Sequence, residues 1–229
     1  MSERKVFVTG ATGLVGSHVL IELSKDNQVE IYAAKRAASN LETVTQLFKH
    51  YEREKEYDKI KWIDFKLEDV NTMPLVDEVI HTAAVVSFNP TDYDAMTKTN
   101  VEATQKLLKI AKDSGVKKFG FVSSIASLGR TKESNQYNEQ SPWSDSSANS
   151  FYSKTKYLSE KMVIDANSPE MSTFIINPGV ILGPCDWNKS SGTIFRTAIK
   201  GMKFYTKGVN GFVDVRDVAN GMLTVMKKG

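Results

Sequence analysis

Residues 9–16 read TGATGLVG, directly after the apolar run KVFV and directly before the amphipathic segment LVGSHVLIEL. This order predicts a strand, a glycine turn and a helix. Gly10 permits a tight turn, Gly13 lets the backbone approach a pyrophosphate, and Gly16 lets the helix pack closely on the strand. The free amides and the positive dipole at the helix N-terminus favour an anion, so the stretch predicts a dinucleotide site.

Short β-type runs recur along the rest of the chain, with helical patterns between most of them: residues 6–9, 30–34, 60–65, 78–81, 118–123 and 173–177. Strands that alternate with helices form a parallel sheet joined by right-handed crossovers. Residues 40–57 carry apolar side chains at helical spacing and predict one helix with a charged end. Residues 69–76 contain Pro74, and we expect a loop or a single helical turn there. The sequence therefore predicts an α/β fold, a Rossmann-like doubly wound parallel sheet with helices on both faces.

The composition is that of an ordinary soluble globule: 229 residues, 41% hydrophobic, 25% charged, with a mean hydropathy of -0.32. We expect one domain over residues 1–229. A net charge of +3 gives no reason to expect nucleic acid or a membrane surface as a partner.

The N-terminus carries no apolar stretch of signal-peptide length, and no later segment approaches a spanning length, so a cytoplasmic location is expected. Cys185 is the only cysteine and the three histidines are scattered, so no internal disulfide and no metal site are expected.

Residues 151–161 read FYSKTKYLSEK and contain two Tyr-x-x-x-Lys pairs, Tyr152/Lys156 and Tyr157/Lys161. Residues four apart share a helix face, whereas a shift of five rotates the pair by about 140°. The two pairs therefore point in different directions, and only one can face a cleft. An isolated pair of this kind is most often a surface contact, but here it follows a nucleotide-binding turn and the predicted strand KFGFVSS.

The chain resembles an extended short-chain dehydrogenase/reductase of the NAD(P)-dependent epimerase/dehydratase superfamily. The matching segments occur in the family's order: TGATGLVG, VIHTAA at 79–84, TNVEAT at 99–104, FVSSIASLG at 121–129, YSKTK at 152–156, NPGVILGP at 177–184 and FVDVRDVA at 212–219. The ATG of the turn and the run NPGVILGPCDWNKSSG resemble the dihydroflavonol-reductase and hydroxysteroid-dehydrogenase branch. Relatives continue beyond the last segment into a substrate lobe, so residues 178–229 are expected to contribute part of a small or truncated C-terminal substrate-binding lobe.

The resemblance implies catalytic roles for Ser124, Tyr152, Lys156 and Asn100. Thr155 occupies the family's hydroxyl position, which favours Tyr152/Lys156 over the second pair. A phenol with a pKa of about 10 is a poor base at neutral pH unless a cation stabilises the phenolate, and Lys156 would supply that charge. Ser124 would hold the substrate oxygen, and strand alternation turns the neighbouring Ser123 away. Asn100 is either a support that carries a backbone or water relay or a packed helix-interior residue.

The same resemblance implies a cofactor surface made of the glycine turn, the strand ends and the segment after the sixth strand: Gly10, Thr12, Gly13, Leu14, Val15, Gly16, Lys35, Arg36, Leu67, Ala83, Ala84, Tyr152, Lys156, Pro178, Gly179 and Val180. Lys35 and Arg36 stand where an acidic residue would bind the adenosine ribose of NAD. Their charge suits a 2′-phosphate, so NADP is expected, with NAD possible. The alternative is that Lys35 and Arg36 are an exposed basic pair that does not bind a phosphate.

The leading hypothesis is an NAD(P)-dependent oxidoreductase that transfers a hydride between the nicotinamide and a carbonyl or secondary alcohol of a small organic substrate, with a tyrosine as proton donor or acceptor. A nucleotide-sugar epimerase or dehydratase is the second hypothesis. Dehydration is disfavoured because Ile125 and Ala126 stand where that branch has an acid pair. A non-catalytic dinucleotide-sensing protein is the third. The resemblance also implies a homodimer formed by the helices around residues 100–111 and 152–165.

Overall fold

The central feature of the fold is a six-stranded parallel sheet in the order β3-β2-β1-β4-β5-β6. The computed structural model describes residues 4–129, 138–147, 149–187, 191–201 and 210–229. The sheet strands are β1 Arg4–Thr9, β2 Val29–Lys35, β3 Lys61–Asp64, β4 Glu78–His81, β5 Lys118–Val122 and β6 Ser172–Ile176. The strand order reverses at β1, which confirms the predicted doubly wound α/β architecture.

The helices are α1 Leu14–Leu23, α2 Glu42–His50, α3 Glu54–Tyr57, α4 Tyr93–Met96, α5 Ala103–Asp113, α6 Phe151–Asp165, α7 Gly192–Ile199 and α8 Val215–Lys228. A π-helical segment, Thr97–Glu102, joins α4 to α5, and short 3₁₀ turns occupy Leu67–Asp69, Pro90–Asp92 and Ile125–Ser127. In the described ranges, no helix is both long and apolar enough to cross a membrane.

Two hydrophobic clusters cover the two faces of the sheet. Val6 and Val8 of β1 pack into the cluster formed with α1, α2 and α8, whereas Phe7 packs into the cluster formed with α5 and α6. All three side chains are fully buried, because successive strand residues point to opposite faces and both faces are covered. The apolar run KVFV is therefore the sequence of a central parallel strand.

The prediction of one helix over residues 40–57 is wrong, because the chain breaks after α2 and resumes as α3. Glu52 has φ of +55°, a left-handed conformation that ends a helix. The Glu52 amide donates to the Lys49 carbonyl and the Arg53 amide to the Phe48 carbonyl, which closes the helix end. Apolar spacing continues through this break and conceals it. The predicted loop or single turn over residues 69–76 is present as the end of the 3₁₀ turn Leu67–Asp69 followed by residues without helix or strand.

The C-terminal segment forms a second, two-stranded parallel sheet from β7 Val180–Leu182 and β8 Phe212–Asp214. The following helix α8 returns to the main sheet and packs on α1, β5 and β6. Met222 and Met226 lie over Gly120, where an added Cβ would come within 2.7 Å of both sulfur atoms. The predicted lobe, residues 178–229, includes residues 188–190 and 202–209, which lie outside the described residues.

Two left-handed glycines allow a test of how much the close packing of the first turn contributes to stability. Gly10 has φ of +67°, and an added Cβ would lie 2.6 Å from the Ala83 nitrogen; Gly115 has φ of +76° with open space around that position. We expect Gly115→Ala to lower the free energy of unfolding by about 1–2 kcal/mol, the cost of a left-handed alanine. Gly10→Ala adds a backbone clash and should cost more, about 3 kcal/mol or above. Urea denaturation measures both, and equal losses would contradict the packing argument.

Candidate active site

The turn between β1 and α1 leaves the first amides of the helix available to a ligand. The Gly13 amide donates to the Gly10 carbonyl at 2.9 Å, and an added Cβ at Gly16 would lie only 2.2 Å from the same oxygen. The N-cap, Gly13, has no side chain, and no acidic residue lies in the first turn of α1. An uncapped helix N-terminus of this kind binds anions through its amides and its dipole.

A cavity of about 890 Å³ opens beside this helix N-terminus. Its lining includes predicted cofactor residues from three parts of the chain: Thr12, Gly13, Leu14, Arg36 and Ala84. Ser39, Gln46 and Cys185 also line it, and sequence reasoning had not linked them to the cofactor. The volume lies within the range of pockets for cofactors and other small molecules, about 300–1,000 Å³.

Other predicted cofactor residues support the cavity without lining it. The Leu67 side chain is buried in one core cluster, and the partly buried Val15 packs against the other. Ala83 follows β4 and packs against the turn at Gly10.

The predicted cofactor segment after β6, residues 178–180, is hydrogen-bonded both to the loop after β5 and to the residue that precedes β8. The Pro178 carbonyl accepts from the Ile125 amide at 3.0 Å, and the Val180 amide donates to the Gly211 carbonyl at 2.8 Å. Gly179 lies close to the same Gly211 backbone, where an added Cβ would be 2.5 Å from the carbonyl oxygen. Tight backbone packing therefore fixes this segment beside the loop that carries Ser124.

The two basic residues at the end of β2 have different surroundings. Lys35 forms an ion pair with Asp64, its direct partner across the β2–β3 register. Its charge is therefore already engaged, a pairing that the sequence analysis did not anticipate. Arg36 lines the cavity, its backbone amide donates to Ser39 Oγ at 3.1 Å, and its guanidinium has no ion pair within the described ranges.

The structure places Ser124 close to Tyr152. Ser124 follows β5, its hydroxyl accepts from the Ala126 amide at 3.1 Å, and it lies close enough to the Tyr152 phenol to lower the pKa of that group. Ser123 points the other way and is 4% exposed. Of the two serines, Ser124 is thus the one beside the tyrosine.

Lys156 is buried in an apolar setting. Its Nζ donates to the Val122 carbonyl at 2.7 Å and lies 4.2 Å from the centre of the Phe121 ring. Burial lowers the pKa of the Lys156 ammonium to about 7, and the Glu160 carboxylate opposes this shift. Lys156 therefore changes between its charged and its neutral form near neutral pH.

The Tyr152 phenol does not have the lowered pKa that the sequence analysis expected. Burial raises its pKa, and the nearby Ser124 hydroxyl only partly offsets that increase. Burial of the phenol explains the difference, because it disfavours the charged phenolate. Tyr152 is accordingly protonated at neutral pH.

Tyr157 lies on another face of α6. Its ring stacks on Trp143 with ring centres 4.5 Å apart and planes 8° apart. Its partner Lys161 is exposed, whereas Lys156 is 3% exposed. The structure thus turns the first Tyr-x-x-x-Lys pair inward and leaves the second at the surface.

Asn100 lies in the π-helical segment and is 2% exposed. Its Oδ1 accepts from the Val85 amide at 2.8 Å, and its Nδ2 donates to the Val85 carbonyl at 2.9 Å and to Thr155 Oγ1 at 3.1 Å. Both amide hydrogens are therefore engaged by protein atoms. These contacts tie the chain after β4 to α6, which is the geometry of a positioning residue; π-helical turns are frequent at functional sites.

Sequence reasoning missed a polar cluster behind the serine, consisting of Ser123, Ser127, Glu160 and Asn177. The Glu160 carboxylate accepts from Asn177 Nδ2 at 2.7 Å and from Ser127 Oγ at 2.6 Å, and it also binds Ser123. The one available signal was spacing, because Glu160 lies four residues after Lys156 on the same helix.

Comparison with known proteins places these features in a family. The chain is 26% identical over 228 residues to a putative dihydroflavonol 4-reductase of Synechocystis sp., across 97% of this chain and 63% of that protein. It is 32% identical over 158 residues to sterol demethylase protein B of Methylococcus capsulatus, across 67% of this chain and 47% of that protein. The chain therefore spans about half to two thirds of the length of these relatives.

Solved structures share the fold. UDP-glucuronic acid 4-epimerase from Bacillus cereus, in complex with UDP-glucuronic acid and NAD, matches with a TM-score of 0.78 at 18% identity, over 97% of this chain and 73% of that one. The terminal R domain of the myxalamid biosynthetic pathway matches with a TM-score of 0.79 at 22% identity, over 99% and 63%. The model of the NAD dependent epimerase/dehydratase family matches residues 6–229. This chain therefore belongs to the NAD dependent epimerase/dehydratase family, within the extended short-chain dehydrogenase/reductase superfamily.

Proposed function

We propose that this protein is an NAD(P)-dependent oxidoreductase that transfers a hydride between a nicotinamide and a carbonyl or secondary alcohol of a small organic substrate. The observation that carries the proposal is the proximity of Ser124 to Tyr152, with Lys156 buried one helical turn further along α6. Family membership and the similarity to a protein described as a dihydroflavonol reductase favour the same chemistry.

The residues around the cavity fit a nicotinamide dinucleotide. The uncapped start of α1 suits the pyrophosphate, and the Arg36 guanidinium suits a phosphate on the adenosine ribose. When bound in reduced form, the nicotinamide supplies the hydride that reaches the carbonyl carbon. We therefore infer NADP as the preferred cofactor, with NAD as the weaker one.

In the reductive direction, Tyr152 donates its proton to the carbonyl oxygen as the carbonyl carbon receives the hydride. The phenolic O–H bond breaks, the alcohol O–H bond forms, and a phenolate is left on the protein. A raised pKa keeps the phenol protonated at neutral pH, which is the form that a proton donor needs. Ser124 holds the substrate oxygen by a hydrogen bond, and the charge of Lys156 favours the phenolate. In the oxidative direction each step is reversed.

Asn100 acts in this scheme through the backbone it holds. By binding both the amide and the carbonyl of Val85, it fixes the chain that leaves β4 toward the cleft. By binding Thr155, it fixes the turn of α6 between Tyr152 and Lys156. Its role is therefore to position the cleft walls relative to the reacting groups.

A screen of ketones and aldehydes with NADPH and with NADH tests the proposal. Loss of reduced-cofactor absorbance that depends on both the substrate and the protein is the expected result. Absence of turnover with every carbonyl, together with tight binding of the cofactor, would instead favour a dinucleotide-sensing protein.

We expect tighter binding of NADPH than of NADH, because Arg36 lines the cavity and its guanidinium has no ion pair among the residues that the structure describes. Arg36→Asp should reverse the preference, with a loss of NADPH affinity of about tenfold or more for one charge-assisted contact. Fluorescence titration with each cofactor measures the ratio. Lys35→Gln is the matched control and should have a smaller effect, since Lys35 is already paired with Asp64. Equal affinities in the parent protein would reject the preference.

We expect Tyr152, and not Tyr157, to be the proton donor. Tyr152→Phe keeps the ring but removes the proton, so kcat should fall by about two orders of magnitude or more. Tyr157→Phe keeps the stacking on Trp143 and should cost far less. Steady-state kinetics compares the two, with cofactor titration to confirm that binding is retained. If Tyr152→Phe kept a kcat near that of the parent while Tyr157→Phe lost activity, the assignment would be reversed.

We also propose a homodimer through α5 and α6, as the family resemblance implies. Leu158 and Ile164 on α6 are 39% and 56% exposed, and such apolar side chains are natural contacts in an interface. Light scattering over a concentration series should give twice the monomer mass, and Leu158→Glu should shift the protein toward the monomer. A monomer mass at every concentration of the parent protein would reject the dimer.

A further inference from the structure

The polar cluster behind Ser124 joins the ends of two strands to the catalytic helix. Glu160 projects from α6, Ser123 follows β5, and Asn177 follows β6. One carboxylate oxygen of Glu160 accepts from both of these residues and from Ser127. Hydrogen bonds to an ionised carboxylate are stronger than neutral ones, so this is a firm attachment of α6 to the sheet edge.

The cluster also holds the backbone of Ser124. The Ser124 carbonyl lies 2.6 Å from Ser127 Oγ and 3.3 Å from Asn177 Nδ2. Asn177 Nδ2 also donates to Glu160, and the single hydroxyl hydrogen of Ser127 is shared between the Ser124 carbonyl and the Glu160 carboxylate. The carboxylate therefore fixes the 3₁₀ turn that follows Ser124, and with it the direction of the hydroxyl that meets Tyr152.

The cluster further places a negative charge beside the buried cation. Glu160 lies one helical turn after Lys156, and within the described ranges it is the one charged group that favours the protonated amine. The other titratable neighbours bring no charge at neutral pH. His81 of β4 lies between Thr9 and Thr104, and burial lowers its pKa to about 3. Tyr152, on α6 itself, is a neutral phenol.

We propose that Glu160 is a positioning residue of this site, which orients Ser124 through Ser127 and Asn177 and places its negative charge one helical turn from the buried Lys156 ammonium. The proposal rests on the proposed oxidoreductase function for its kinetic consequence, but not for its electrostatic one. Its physical basis is general: a buried ammonium loses its proton easily unless an anion compensates for the lost hydration.

The consequence for pH dependence has a definite sign. An anion raises the pKa of a nearby ammonium, so removing Glu160 lowers the pKa of Lys156 below its present value of about 7. If the ammonium stabilises the phenolate left by Tyr152, reduction slows as the pH rises through the pKa of Lys156. The loss of activity then begins at lower pH in a variant without the Glu160 charge.

Glu160→Gln is the appropriate change, because it removes the charge while an amide oxygen still accepts from the cluster. We expect the alkaline limb of kcat/KM for carbonyl reduction to move down by about one pH unit, so that activity at pH 8 is about tenfold below the parent's. Near pH 5.5 the two proteins should differ far less. Asp165→Asn, an exposed carboxylate on the same helix, is the matched control and should leave the profile in place.

A second measurement does not depend on turnover. In protein labelled with ¹³C-lysine, the Cε resonance of Lys156, assigned by its absence in Lys156→Met, reports the protonation of this amine directly. Its midpoint should lie near 7 in the parent, lower in Glu160→Gln, and unchanged in Asp165→Asn. If no carbonyl is reduced by the parent, the oxidoreductase proposal fails while this titration still decides the role of Glu160.

Ser127→Ala separates the two parts of the role and covers the case of a Glu160→Gln protein that does not fold. It keeps the carboxylate but removes one attachment to the Ser124 turn, so kcat should fall while the Lys156 midpoint stays in place. A parent-like midpoint in Glu160→Gln, or an equal midpoint shift in Ser127→Ala, would overturn the charge assignment. An unchanged kcat in Ser127→Ala would overturn the orienting role.

Discussion

The close approach of α1 to the end of β1 is the constraint on which the site depends. Gly16 lies against the Gly10 carbonyl so tightly that any side chain at that position would collide with the backbone. Gly10 in turn lies against Ala83 at the end of β4. These two contacts bring the helix N-terminus to the point where the strand order reverses, and parallel α/β sheets bind their ligands in that crevice. The cavity beside α1 is a direct result.

Much of the fold could be predicted because its signals are local. The run KVFV has the continuous apolar character of a strand that is buried on both faces, and β1 confirms it. The end of α2 could not be predicted, because the residue in the left-handed conformation there is Glu52 and not the glycine that usually marks a helix end. The helix end is closed by backbone hydrogen bonds to Lys49 and Phe48, which apolar periodicity does not report.

The same contrast between local and long-range signals applies to the residues of the site. The family resemblance assigned Ser124 and Tyr152 to one site, and the structure places the two residues close together. Glu160 and Asn177 were missed, since their partnership requires knowing that α6 lies across the ends of β5 and β6. Lys35 was expected to face a phosphate, yet the β2–β3 register sets it against Asp64. In each case the neighbour that was not anticipated is distant in sequence.

Burial has opposite effects on the two groups of the Tyr152/Lys156 pair, and this links the packing of the protein to its chemistry. The same exclusion of water raises the pKa of the phenol and lowers the pKa of the ammonium, because each shift disfavours the charged form. Left to burial alone, both groups would be neutral near pH 7, and the phenolate formed after proton donation would face a neutral amine. The negative charge of Glu160 works against that outcome, and it is held in place by residues at the ends of β5 and β6. The surroundings of the Lys156 charge therefore depend on how the helix is attached to the sheet as well as on the Tyr-x-x-x-Lys motif.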